Sequence, residues 1–189
     1  MDALLRFIHA MTTFSEESWI RLQPALSTQE FKKNEFLLKE GAVCQSLFFI
    51  EKGYCRSFYE IDGVEKNTAF YLENEIATNI RSFGSGEKSA AGIIACEPIK
   101  AIVFDKKLLF EAAAQTAEIE ALGRNCIRLF AAKQDEFATL FNIYAAKDRL
   151  AYIEEKHPHL LQRVSQTQLA SFLGVARETL SRIRKRRVP

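Results

Sequence analysis

The pattern of apolar and polar positions changes twice along the chain. The first 25 or so residues read as helix, and in "SEESWIRLQPAL" Ser15 precedes Glu16 and Glu17, the arrangement of an N-cap with acidic residues in the first turn. From about Ser27 to Lys106 the pattern shortens. Runs rich in β-formers, "QEFKKNEFLL", "SLFFIEKG", "YCRSFYEIDG", "EKNTAFYL", "AAGIIACE" and "IKAIVFD", alternate with turn residues. Strands at this spacing predict an antiparallel sandwich or barrel. Glu40-Gly41, Lys52-Gly53 and Asp62-Gly63 mark turns, and the last predicts a tight hairpin.

After Asp105 the period becomes helical again. "KKLLFEAAAQ" predicts a short helix, and a long one follows from roughly Ala117 to Phe141. Ile119, Leu122, Cys126, Leu129, Phe137 and Leu140 recur at nearly heptad spacing, with Lys133 in the one wide gap. A helix of this length reaches nearly 40 Å, too long to be only the cap of a small barrel. It is expected to pair with a second copy in a homodimer. The alternative is an amphipathic helix packed wholly within its own chain.

The C-terminal stretch holds "AAKDRLAYIEEKHP", "SQTQLASFLG" and "ARETLSRIRKRR", short helices with Ser165 as an N-cap and Gly174 at a turn. Leu169, Ala170, Leu173, Val175, Leu180 and Ile183 form an apolar lock between the last two. That lock leaves Arg177, Glu178, Ser181 and Arg182 on the outer face, where side chains reach base edges in a major groove. Ser165, Gln166, Thr179, Arg184, Lys185, Arg186 and Arg187 are placed to meet phosphates. The bland alternative is a helical hairpin with a charged outer face.

Charge supports the first reading. The chain carries +2 overall, but residues from Lys147 onward hold 10 Lys and Arg against 4 Asp and Glu, leaving the remainder acidic. A basic end on an acidic body suggests a polyanion partner; the alternative is a solvated basic terminus. No apolar run approaches the length of a membrane span, and "MDALLRFIHAMTTF" is not a signal peptide, so a cytoplasmic protein is expected. The cysteines Cys44, Cys55, Cys96 and Cys126 are scattered, form no metal set with the three histidines, and are expected to be reduced and mostly buried. No nucleophile–base set and no phosphate loop of the G-x-x-x-x-G-K type is present, which argues against an enzyme.

The run Arg177-Glu178-Thr179-Leu180-Ser181-Arg182 within "SQTQLASFLGVARETLSRIRKR" resembles the helix-turn-helix of Crp/Fnr-type bacterial transcription regulators. The likeness extends along the chain, and "FKKNEFLLKEGAVCQSLFFIEKGYCRSFYEIDGVEK" is similar to that family's cyclic-nucleotide-binding β-roll. The resemblance implies an α+β fold: an antiparallel eight-stranded sensor roll over residues 1–115, a dimerisation helix over 116–142 and a helix-turn-helix domain over 143–189. It implies base contacts from Arg177, Glu178 and Arg182. It also implies double-stranded DNA and a second copy as partners, with RNA polymerase a further candidate and no membrane. A full β-hairpin wing is not expected, since only Arg186, Arg187, Val188 and Pro189 follow the last helix.

In the cyclic-AMP-binding members a Gly-Glu pair and an Arg about ten residues later hold the ligand. Here Asn74-Glu75 or Thr78-Asn79 stands for the pair, and the arginine position falls on Ser89 or Ala90 beside Ala91. Lys88 is the nearby cation, with Arg81 a second in a shifted register. A buried phosphate needs a compensating charge, so cyclic AMP is not expected to bind. No other cofactor is certain, and the effector is unknown. A module that binds a small molecule and acts through a protein partner is the alternative to a DNA-binding regulator.

Overall fold

The structure is a computed structural model and describes residues 1–185; Arg186 and Arg187, both expected at phosphates, lie outside the described residues. Helix α1 (Asp2–Met11) is followed by α2 (Glu16–Leu22) and a 3-10 turn, Gln23–Ala25. The Ser15 hydroxyl accepts from the Ser18 N–H at 3.2 Å and so starts α2.

Eight strands come next: β1 (Leu26–Phe31), β2 (Phe36–Leu38), β3 (Ser46–Lys52), β4 (Cys55–Ile61), β5 (Val64–Tyr71), β6 (Ile76–Ala77), β7 (Gly92–Ala95) and β8 (Ile99–Asp105). They form two antiparallel sheets, ordered β1-β8-β3-β6 and β2-β7-β4-β5. The Asp62-Gly63 hairpin joins β4 to β5, with both turn residues at positive φ and Ile61 opposite Val64. The run "QEFKKNEFLL" contains two strands. Asn34 turns the chain at φ 67, sending β1 to β8 and β2 to β7 in the other sheet. Strand β6 and the short helix α3 (Ile80–Ser85) occupy a segment where the pattern predicted neither.

Phe49, Ile50, Ile93, Ala101 and Ile102 fill the space between the sheets, and Leu4 and Ile8 of α1 close it. Helix α4 (Lys106–Gln115) leaves β8 under an Asp105 cap, and α5 (Ala117–Ile143) runs for 27 residues. Ile119, Leu122 and Cys126 of α5 pack into this same core.

The C-terminal helices are α6 (Ala146–Lys156), α7 (Pro158–Arg163), α8 (Gln166–Leu173) and α9 (Arg177–Lys185). Leu150, Ile153, Leu169, Leu173 and Leu180 build a second core around Phe172. The ring of Phe172 meets Phe70 of β5 at 5.3 Å and Phe137 and Phe141 of α5 at 5.6 Å each. The second core therefore includes the roll's own Tyr54, Phe70 and Leu72.

This packing corrects the expected dimer seam. Ile119, Leu122, Cys126 and Leu140 are buried in their own chain, and Phe137 packs on Phe172, leaving only Leu129 of the six exposed. Near-heptad spacing marks one apolar stripe, and the roll and the terminal helices have the first claim on it.

Candidate functional site

Two regions gather the chemistry that the sequence singled out. The first is a cavity of about 620 Å³ between β5, α3 and α5. Thr78, Asn79, Lys88, Ser89, Ala90 and Ala91 line it together. Glu75 stands apart and lines a smaller neighbouring hollow.

Local hydrogen bonds hold the loop around α3. The Asn79 carbonyl oxygen accepts from the Ser82 N–H at 3.0 Å and caps α3, while its amide donates to the Ser89 hydroxyl at 2.8 Å. Ser89 in turn donates to the Ala91 carbonyl at 2.7 Å, and Ser82 to the Glu87 carbonyl at 2.6 Å. Ser89, at a position where the resemblance would put an arginine, is buried and committed to its own loop. Arg81 has 86% of its side chain exposed and sits 3.7 Å from Glu87, and Lys88 is exposed as well. Neither is a buried clamp.

The least exposed cation of the cavity comes from a different element. Lys133 of α5 reaches back across the wall, placing its Nζ 2.7 Å from Glu75 Oε1 and 5.7 Å from the centre of the Tyr71 ring. Tyr71, Phe130 and Phe137 supply aromatic wall beside it. Burial first, then the nearby Cys55 thiol and Glu75, hold the Tyr71 phenol well above its usual range, so it stays neutral. Sequence reasoning left Lys133 out of the site. The wide gap it occupies in the apolar spacing was the available signal: a cation there faces the chain's own roll.

The second region is the exposed face of α9. Arg177, Glu178 and Arg182 are exposed, Ser181, Thr179 and Arg184 are partly exposed, and Lys185 is exposed. Leu169, Ala170, Leu173 and Leu180 are buried beneath them, with Val175 and Ile183 packed against that cluster. Gly174 ends α8 at φ 69, and the Val175 N–H bonds back to the Ala170 carbonyl at 3.0 Å, which turns the chain into α9. Ser165 caps α8 by accepting from the Gln168 N–H, beside an exposed Gln166.

The helix pair is fastened to the roll on its other side. The Ser171 hydroxyl accepts from the Asn67 N–H at 3.1 Å and donates to the Glu65 carbonyl at 3.0 Å, covering part of the free edge of β5. Asn67 also donates from its side chain to the Gln168 carbonyl at 3.0 Å, and its carbonyl oxygen accepts from buried Arg56. Arg163, at the end of α7, bonds Glu73 at 2.7 and 3.1 Å, bonds Glu97, and lies 5.1 Å over the Tyr54 ring. None of these contacts was read from the sequence.

Residues 28–116 match the family of the cyclic nucleotide-binding domain. No curated protein matches the chain in sequence. Among solved structures, the chain is similar to FixK2 from Bradyrhizobium japonicum, with a TM-score of 0.72 at 18% identity over 85% of this chain and 83% of that one. It is similar to the catabolite activator protein of Thermus thermophilus, with a TM-score of 0.56 at 18% identity over 92% and 83%. It is also similar to the c-di-GMP-responsive regulator CLP of Xanthomonas campestris, with a TM-score of 0.65 at 14% identity over 91% of each chain. The chain has the fold of the Crp/Fnr regulators, built on a cyclic nucleotide-binding roll. No helix among the described residues is long and apolar enough to cross a membrane.

Proposed function

We propose that the protein is a homodimeric, sequence-specific DNA-binding transcription regulator whose roll senses a small molecule other than cyclic AMP. The observation that carries the reading is α9. A helix with Arg177, Glu178 and Arg182 facing outward is locked by a buried apolar face and a glycine turn to a capped α8. Such a helix-turn-helix presents its second helix to a major groove. Arg bonds guanine bidentately and Glu accepts from cytosine. Thr179, Arg184 and Lys185 flank that face and meet phosphates, as do Ser165 and Gln166 at the start of α8.

The dimer forms along the part of α5 that stays open. Gly123, Ile127, Ala131, Gln134 and Ala138 are all exposed and fall on one stripe, and Ile127 alone is 58% exposed. Small residues there let a second helix approach closely. Two recognition helices related by the dyad then read a pseudo-palindrome. Cyclic AMP is not the expected effector, because Ser89, at a position where the resemblance would put an arginine, is neutral and bonded within its own loop.

The test is fluorescence anisotropy on selected genomic fragments and random DNA at two salt concentrations. Arg177→Ala is expected to cost about 1–3 kcal/mol on the selected site and to relax its sequence preference. Lys185→Ala is expected to weaken binding to both DNAs and flatten the salt dependence. Equal losses on both DNAs for both variants refute the assignment of α9.

A further inference from the structure

We propose that the roll's cavity takes a small organic anion with an apolar or aromatic body, and that Lys133 anchors its acid group in competition with Glu75. This rests on the reading of the roll as a sensor. The cavity, about 620 Å³, has the size of a small-molecule site. Its walls give the body of the ligand: Tyr71, Phe130 and Phe137 supply aromatic surface, and Ala69 and Ala91 small apolar surface.

Charge gives the ligand's sign. Arg81, Lys88 and Lys133 line the cavity against one lining carboxylate, Glu87. Glu87 is engaged with Arg81 at the rim, and Glu75 is engaged with Lys133. One positive charge remains in surplus, so an anion is attracted and a cation is not.

Hydrogen-bond accounting gives the anchor. Asn79, Ser82 and Ser89 donate to one another or to backbone carbonyls of their own loop. Tyr71 donates to the Thr78 carbonyl at 3.4 Å, and Thr68 to the Ser57 carbonyl at 3.4 Å. An ammonium has three donors, and Lys133 gives one to Glu75. Its side chain is 29% exposed, against 86% for Arg81, so a charge pair formed there is the better shielded from water. Glu75 can yield the lysine because its other oxygen already accepts from the Leu72 N–H at 2.8 Å. A lysine on a flexible stem can turn from one carboxylate to another acid.

Two fluorescent probes of the same ring system test this on the full chain. 1-Anilinonaphthalene-8-sulfonate carries an anion, and N-phenyl-1-naphthylamine does not. Lys133→Met is expected to weaken the sulfonate about tenfold and leave the neutral probe within about twofold. Lys133→Arg should retain most of the sulfonate affinity. Glu75→Gln is expected to tighten the sulfonate about threefold, because its competitor for the lysine is gone. Opposite signs at the two partners distinguish competition from a pair that only stabilises the fold, and melting curves confirm that each variant is folded. The proposal is overturned if Lys133→Met weakens both probes equally or leaves the sulfonate unchanged, if Glu75→Gln weakens the sulfonate, or if neither probe binds the unaltered protein. DNA binding is measured on the same samples. Specific DNA binding with the wrong probe pattern refutes the anion and leaves the regulator standing; the expected probe pattern without DNA binding does the reverse.

Discussion

Arg163 clamps the C-terminal helices to the roll alongside the Ser171 and Phe172 contacts, and breaking it is the sharpest structural test of that attachment. Arg163 and Glu73 form a two-pronged pair at 2.7 and 3.1 Å, with side chains 29% and 32% exposed. That exposure places the pair between a surface bridge, worth about 0–1 kcal/mol, and a buried one whose breaking costs about 3–5 kcal/mol. Bidentate geometry lifts the pair above the surface range, and its partial exposure keeps it well below the buried one. A coupling energy of about 1–2 kcal/mol between Arg163→Ala and Glu73→Ala is therefore expected. Arg163→Ala alone also loses Glu97 and the position over Tyr54, and should cost about 2–3 kcal/mol. The assay is a double-mutant cycle in urea, followed by far-UV circular dichroism. A coupling below about 0.3 kcal/mol, within the error of additivity, refutes the argument that this clamp fixes the helices to the roll.

Two more outcomes follow from local geometry. At Gly53, φ is 91 and an added Cβ would lie 2.5 Å from the Pro98 carbonyl oxygen and 3.1 Å from the Ile99 Cα, whereas at Gly41, φ 78, nothing lies within 4 Å. Gly41→Ala should cost about 1 kcal/mol, roughly 2–4 °C, and Gly53→Ala about 3 kcal/mol or more, since the backbone entering β8 must shift; equal losses in thermal melts would contradict this. The pH dependence comes from Glu73. Burial pushes its carboxyl up, but hydrogen bonds from Arg163 and from the backbone N–H groups of Glu73 and Gly53 together bring it below the ordinary 4.5. A carboxyl depressed in the folded state stabilises above its unfolded pKa and loses that contribution as pH falls through the folded one. The urea midpoints of the unaltered protein and Arg163→Ala should therefore converge as pH drops below about 4.5, and a constant gap would count against the clamp.

Much of the fold was legible because it is written in local periodicity. The Asp62-Gly63 hairpin, the Ser15 and Ser165 caps, the Gly174 turn and the α8–α9 lock each depend on residues within a few positions of one another. Short-range geometry of that kind survives in a sequence read alone. The α3 segment was not legible. Six residues with Gly84 inside carry no clear period, and the Asn79 cap acquires meaning only with Ser89 brought beside it.

By itself the sequence determined the order of elements apart from β6 and α3, and the outward set Arg177, Glu178 and Arg182; it left Arg81 and Lys88 as candidate cations between Thr78 and Ala91. Only the tertiary structure decided where the apolar face of α5 goes. The helix is long enough to serve two neighbours, and the roll and Phe172 bury the positions that spacing had offered to a second copy. The same packing turns Lys133 inward to Glu75, 58 residues away, and brings Arg163 to Glu73, 90 residues away. Contacts across such separations leave no periodic trace, because they are set by how whole elements stack and not by the rise of any one of them.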